Sequence, residues 1–285
     1  MKICRTIHDM QQACRNITRA GKTLGLVPTM GALHEGHLSL VARAQQENDA
    51  VAVTIFVNPT QFGLNEDFSK YPRTFEEDCR KLEAANVDLL FAPDAAEMYP
   101  TGATTFVEVG EIGDRLDGAS RPGHFRGVAT IVSKLFHITS PDRAYFGQKD
   151  AAQVAVLRAM TRDLNFPLNL VVCPTFREAD GLAMSSRNRY LNAEERARAI
   201  TIYKALNEAQ QEAQRGQHCA GCLRETMLAV LATEPALRID YAAIVNPDTL
   251  EPLKDTSNGA LLAIAAWNGT TRLIDNILLQ ANAHA

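Results

Sequence analysis

The sequence predicts an α/β protein: a parallel sheet flanked by helices, followed by a smaller α+β domain. Three observations carry this. Residues 24–44, LGLVPTMGALHEGHLSLVARA, read as an apolar strand stopped by Pro28, a small-residue turn holding Gly31, and a helix with Leu38, Val41 and Ala42 on one face. Residues 48–58, NDAVAVTIFVN, supply a second buried strand after a crossover of helix length, the order of a right-handed βαβ unit. Beyond residue 192 the alternation gives way to two helical patterns and then three strand-like runs.

In chain order, residues 1–20 set Ile7, Met10, Cys14 and Ile17 at helical spacing and predict a lead-in helix. Residues 64–74, LNEDFSKYPRT, are polar and proline-interrupted, so they read as a surface loop. Two roles are open for it, a lid that keeps water from a labile intermediate and a passive connector. Residues 75–86 predict a helix with Glu76, Glu77 and Asp78 in its first turn, where the helix dipole favours carboxylates. Residues 87–93 and 105–109 predict further strands, and 110–123 a loop leading through PGHFRG into a helix that runs to 138. On that helix Val128, Ile131 and Val132 share one face. Residues 143–148 predict a fourth parallel strand, a helix starts at Ala151, and 168–173 closes the sheet. A helix over 193–215 opens with Asn192 as cap and Glu195 three residues on; a second covers 221–233. Strands at 238–245, 260–267 and 271–279 complete the smaller domain, and the boundary is placed near Phe176, giving 1–176 and 177–285.

Composition narrows the function classes. The 285 residues are 46% hydrophobic and 22% charged, with a net charge of −4, which disfavours a nucleic-acid or membrane surface. No apolar run reaches the roughly 18 residues a membrane helix needs, and the start has no signal-peptide core, so a cytoplasmic protein is expected. Its six cysteines are then expected to be reduced thiols. Cys219 and Cys222 form a CxxC, but between helical patterns rather than after a strand, so no function is assigned to them.

The chemistry concentrates at the carboxyl ends of the predicted strands, where parallel sheets bind ligands. Residues 28–37 and 58–63 share that rim. A helix N-terminus offers backbone N–H groups and partial positive charge to phosphate, and His34 and His37 add two imidazoles on one side of a turn. A zinc pair and two ordinary surface histidines are the alternatives; zinc needs a third ligand, and no nearby segment offers an obvious one. Gln61 can donate and accept at once, which suits a substrate with both hydroxyl and carboxylate; it also fits a turn-capping amide. Lys149 and Asp150 place a compact cation beside an acceptor for ribose hydroxyls, and Ser185, Ser186 and Arg187 put several donors in succession.

HEGH after PTMG resembles the HxGH signature of adenylate-forming nucleotidyltransferases, and the longer VPTMGALHEGHLSL, with VNPTQF and GQKDAAQ, is similar to the pantothenate synthetase family. Motifs cover residues 24–191. The resemblance implies a Rossmann-like ATP- and pantoate-binding domain, with a smaller C-terminal α+β domain closing over the nucleotide. It implies ATP-dependent joining of pantoate to β-alanine. It assigns His37, His34 and Lys149 to catalysis, and Met30, Gly31, Gly36, Gly147, Asp150, Phe176, Met184, Ser185, Ser186 and Arg187, with the two histidines and Lys149, to ATP. Pro28, Met30, Gln61, Val128 and Gln153 are implied for pantoate and β-alanine; for Val128 plain core packing is equally open. Asp78 is expected either to help hold magnesium or only to balance its helix end. His37 is expected to matter more than His34, on the reading that the helix starts at Gly36. A homodimer is implied too. Gln148 departs from the glutamate many relatives carry there, and Ala151 and Ala152 from bulkier residues. Three rivals remain: another HxGH nucleotidyltransferase, a zinc hydrolase using the two histidines, and a regulatory nucleotide-binding module.

Overall fold

A computed structural model describes residues 1–63, 66 and 68–281. In chain order the elements are β1 (Lys2–Cys4), α1 (Ile7–Arg19), β2 (Leu24–Thr29), α2 (Glu35–Glu47), β3 (Ala50–Ile55), α3 (Phe75–Ala84), β4 (Leu89–Phe91), α4 (Ala95–Met98), α5 (Asp117–Ser120) and α6 (His124–Thr139). There follow β5 (Arg143–Gly147), α7 (Ala151–Asp163), β6 (Asn169–Cys173), α8 (Ala193–Gln214), α9 (Ala220–Leu231), β7 (Leu237–Val245), β8 (Ala260–Asn268) and β9 (Thr271–Leu279).

The first six strands form one sheet in the order β1-β4-β3-β2-β5-β6, all neighbours parallel. Apolar runs such as AVAVTI suit such a sheet because helices cover its faces and leave no side for water. Val27, Val53 and Leu90 are buried with Leu40 and Val41 of α2 and Leu82 of α3 in one cluster. The β2–β3 register runs in step from Leu24↔Ala50 to Thr29↔Ile55. The loops after both strands therefore leave the sheet side by side.

The remaining strands form an antiparallel sheet, β7-β8-β9, against which Ile202 and Leu206 of α8 and Leu223 and Met227 of α9 are buried. Asn192 caps α8 as expected: its side chain accepts from Glu195 N while Glu195 reaches back to Asn192 N.

Two compact units result. One holds residues 1–113, 121–147 and 156–174; the other holds 114–120, 148–155 and the chain from Thr175 on. This differs from a single boundary near Phe176, because β9 ties earlier segments to the C-terminal unit. Arg272 pairs with Asp117 at 2.6 Å, and Asn276 donates to the carbonyls of Gln148 and Lys149 at 3.0 and 2.9 Å.

Two local expectations fail. Residues 105–109 form no strand; the N–H of Val107 donates to the Thr130 hydroxyl at 2.9 Å rather than to a ladder. Lys2–Cys4, absorbed into a helical reading, is an edge strand on β4, too short to display a period of two. Of the proposed lid, Leu64, Asn65 and Asp67 lie outside the described residues; Phe68 and Tyr71 stack edge-on against Phe62.

Candidate active site

The turn after β2 is built by main-chain hydrogen bonding. The hydroxyl of Thr29 donates to Thr54 O at 2.6 Å and accepts from Gly31 N at 3.1 Å. Gly31 then turns with φ +82°, where a Cβ would come within 3.1 Å of Asp78 and Ile55. Asp78, buried on α3, closes the turn: Oδ2 accepts from Ala32 N at 2.9 Å and Oδ1 from Leu33 N at 2.8 Å, and Thr74 donates at 3.1 Å. Lys81, one turn on, donates to Leu33 O at 2.7 Å. Asp78, for which the sequence leaves magnesium binding and helix-end charge both open, braces the histidine turn, because both its oxygens accept from main-chain amides.

His34 is the N-cap of α2, and the helix begins at Glu35. The backbone N–H of His34 donates to His37 Nδ1 at 3.3 Å, and the two rings lie 4.1 Å apart. A neutral His37 with Nδ1 accepting carries its proton on Nε2, so the cap sets the tautomer and leaves Nε2–H as a donor. The reason for ranking His37 first does not hold, since His34 stands nearer the helix start.

The turn after β3 presents Gln61. Buried Asn58 organises it, donating to Gln61 Oε1 at 3.0 Å and to Gly127 O at 3.1 Å while accepting from Tyr99 at 2.9 Å. Gln61 Nε2 reaches Met30 Sδ at 3.2 Å, so the turns after β2 and β3 meet through two predicted substrate residues. Helix α6 approaches by way of Gly127, where a Cβ would fall 2.4 Å from Thr60 O. His124 Nδ1 lies 2.8 Å from Gln61 O and its Nε2 2.9 Å from Arg121, which fixes the Nδ1–H tautomer. Arg121 also makes a 2.7 Å ion pair with Glu66. Burial pushes the Glu66 carboxyl up, but the hydrogen bonds and charge of Arg121 outweigh it and hold Glu66 below its ordinary value. Gln61, Arg121, His124, Gly127 and Phe106 line a cavity of about 490 Å³, open mouth included. Val128 is buried in the core.

In the C-terminal unit, residues 148–150 form a tight turn before α7, with Lys149 Nζ 3.3 Å from Asp150 and the turn's carbonyls held by Asn276. Next to Asn276, Asp275 is 4% exposed and pairs with Arg177 through contacts of 2.6 and 3.0 Å. Burial pushes the Asp275 carboxyl up, against the pull of Arg177 and Lys149. Arg177 stacks 4.2 Å over Tyr203 and donates to Gly181 O at 3.0 Å, holding the loop that leads to Ser185. Arg196 clamps the same loop through Glu178 at 2.6 Å and Asp180 at 2.8 Å. Ser185 caps the short turn Ser186–Tyr190, accepting from Arg187 N at 3.3 Å. Met184 N donates to Phe176 O at 2.9 Å.

Pro28, Met30, Gly31, His34, Gly36, His37, Gln61, Val128 and Gly147 thus fall in the sheet-bearing unit. Lys149, Asp150, Gln153, Phe176, Met184, Ser185, Ser186 and Arg187 fall in the C-terminal unit. Reasoning from sequence missed Asn58, Arg121 and His124; the last two stand in RPGHFRG, whose Arg and His sit three apart just before a helix. Among the described residues no three His, Cys, Asp or Glu side chains gather as a metal site, nor is any helix long and apolar enough to cross a membrane. Magnesium fits this donor set as a companion of nucleotide phosphates rather than as an ion in a protein cage.

Comparison with known proteins agrees with this geometry. The family model described as pantoate-beta-alanine ligase matches residues 2–278. A pantothenate synthetase of Koribacter versatilis is 56% identical, covering 100% of this chain and 98% of the relative. One from Roseiflexus sp. is 55% identical over 99% of this chain and all of the relative. The crystal structure of pantothenate synthetase from Thermus thermophilus superposes with a TM-score of 0.93 at 47% identity, covering 97% of this chain and 99% of that one. The Francisella tularensis pantoate-beta-alanine ligase, solved with a beta-gamma ATP and beta-alanine, gives 0.79 at 35% identity, over 98% of this chain and 97% of that one. A βαβ-built rim bearing two histidines and a glutamine, with these matches across the whole chain, shows that the chain belongs to the pantoate-beta-alanine ligase family.

Proposed function

We propose that the chain condenses pantoate with β-alanine at the expense of ATP, giving pantothenate, AMP and pyrophosphate through a pantoyl-adenylate. Family membership over the full length carries this reading. A carboxylate is a poor electrophile, so it first attacks the α-phosphorus of ATP, and pyrophosphate leaves. The β-alanine amine then attacks the acyl carbon and AMP departs.

The residue roles follow from what each group can do. His37, donating from Nε2, and His34 beside it offer hydrogen bonds to phosphoryl oxygens at the start of α2, where the helix favours negative charge. Lys149 and the donors of Ser185, Ser186 and Arg187 offset charge that shifts toward pyrophosphate, and Asp150 and Gly147 serve the ribose. Magnesium bound to the phosphates of ATP would supply further charge neutralisation there. Gln61, held by Asn58 and Met30, would contact pantoate through its amide, with Gln153 as a second contact. The same membership supports a cytoplasmic homodimer with the C-terminal unit acting on the bound nucleotide.

The test is AMP release from ATP, (R)-pantoate and β-alanine, with each omitted in turn. AMP should appear only with all three over many turnovers. AMP formed with a different acid, and none with pantoate, would favour another HxGH nucleotidyltransferase; ATP binding without AMP from any acid would end the reading.

A further inference from the structure

One motif stands outside the adenylation chemistry: His218-Cys-Ala-Gly-Cys222. Its cysteines open the twelve-residue helix α9, with Cys219 as N-cap. The Cys219 sulfur accepts from Cys222 N at 3.3 Å, and Cys219 N donates to Gln217 Oε1 at 3.0 Å. The segment is pinned to the main chain opposite it, Ala220 N donating to Lys254 O at 3.0 Å and Thr256 N to His218 O at 2.9 Å. Cys222 Sγ lies 2.6 Å from Cys219 Sγ. Two thiols are thus held together by a fixed backbone, at a helix start that favours a thiolate on Cys219.

Access sets Cys219 apart from the other cysteines, and the 2.6 Å approach of a second thiol sets the pair apart. Cys219 is exposed, Cys222 and Cys79 are half-buried, and Cys4, Cys14 and Cys173 are buried. Hydrogen bonds from the Cys222 thiol and N–H lower the Cys219 pKa, against slight burial and the charge of Glu225, and the same thiol contact raises that of Cys222. Burial instead pushes Cys14 up to about 12 and raises Cys4, Cys79 and Cys173.

We propose that Cys219 and Cys222 form a redox-active dithiol that reacts with low-molecular-weight disulfides, Cys219 attacking and Cys222 resolving. In the first step the Cys219 thiolate attacks one sulfur of the small disulfide; a mixed disulfide forms and the other sulfur leaves as a thiolate that takes up a proton. In the second, Cys222 gives its proton to solvent and attacks Cys219 Sγ, expelling the second small thiol. Two protein thiols are oxidised to one disulfide as one small disulfide is reduced to two thiols. The product staples the first turn of α9, and the proposal is independent of the residues assigned to ATP.

The full chain, incubated with oxidised glutathione, alkylated and read by intact mass and peptide mapping, tests this. The expected result is loss of two of the six thiols, a mass lower by two hydrogens before alkylation, and a bond mapped to 219–222 that dithiothreitol reverses. Cys222→Ser should stop at one glutathione on Cys219, and Cys79→Ser should behave as the unaltered chain. Six thiols remaining, glutathione landing first on Cys79, or oxidation appearing as disulfides between chains would each overturn the proposal. The unaltered chain decides this even if a variant folds poorly.

Discussion

The histidine turn and the Ser185–Arg187 loop, both proposed above to offer donors to ATP, are held in different ways. Around His34 and His37 the charged side chains Asp78 and Lys81 act on the main chain, the carboxylate accepting from two amides and the ammonium donating to a carbonyl. Around the Ser185–Arg187 loop the braces are ion pairs, Arg177 with Asp275 and Arg196 with Glu178 and Asp180, while the Lys149 turn is held by the Asn276 amide. A neutral donor needs a fixed tautomer and angle, which hydrogen bonding to backbone supplies. The polar Ser185–Arg187 loop is instead anchored by charge, and strand β9 contributes Asp275 to it and Asn276 to the Lys149 turn.

The contrast predicts unequal costs. Asp275→Ala strands the Arg177 guanidinium, and breaking a buried pair in this way costs about 3–5 kcal/mol. Urea unfolding should show that loss; less than about 1 kcal/mol would mean the pair is not the anchor. Asp78→Ala leaves two buried amides without acceptors, about 1–3 kcal/mol each, and should slow turnover while leaving the magnesium requirement as it was. A rise in the magnesium needed for half-maximal rate would make Asp78 a ligand as well as a brace.

The smallest effect concerns Glu66 and Arg121, which link the region after Gln61 to the start of α6. Because the folded-state pKa of Glu66 is depressed, its contribution is present above the ordinary value of 4.5 and is lost as pH falls through the folded value. A part-exposed pair contributes about 0.2–1 kcal/mol. The stability gap between the unaltered chain and Glu66→Gln should therefore be open at neutral pH and close in acid. A gap equally wide at both would assign it to packing.

What could be read from the sequence follows the same division. Motifs contiguous in the chain were legible: the strand–turn–helix bearing His34 and His37, the Gln61 turn, and the two helices and three strands after residue 192. Their braces were not, because each lies far along the chain. Asp78 is 45 residues from Leu33, Asp275 is 98 from Arg177, and Asn276 is 127 from Lys149. No local period signals such pairings. Asp78 in particular shows in sequence only as one of three acids at a helix start, which is why helix-end charge and metal binding could be named for it and bracing could not. His124 and Arg121 were visible as a motif, but their joint hold on Gln61 O depends on α6 meeting the turn after β3, which needs the fold.

The central proposal is that His37 and Lys149 both act on the adenylation step. Pantoate-dependent exchange of labelled pyrophosphate into ATP, without β-alanine, isolates that step. The account predicts that His37→Ala and Lys149→Ala each lower exchange by roughly 100- to 1,000-fold, about 2.7–4 kcal/mol of barrier, with the thermal midpoint unchanged. Either variant exchanging at more than about half the normal rate would contradict it.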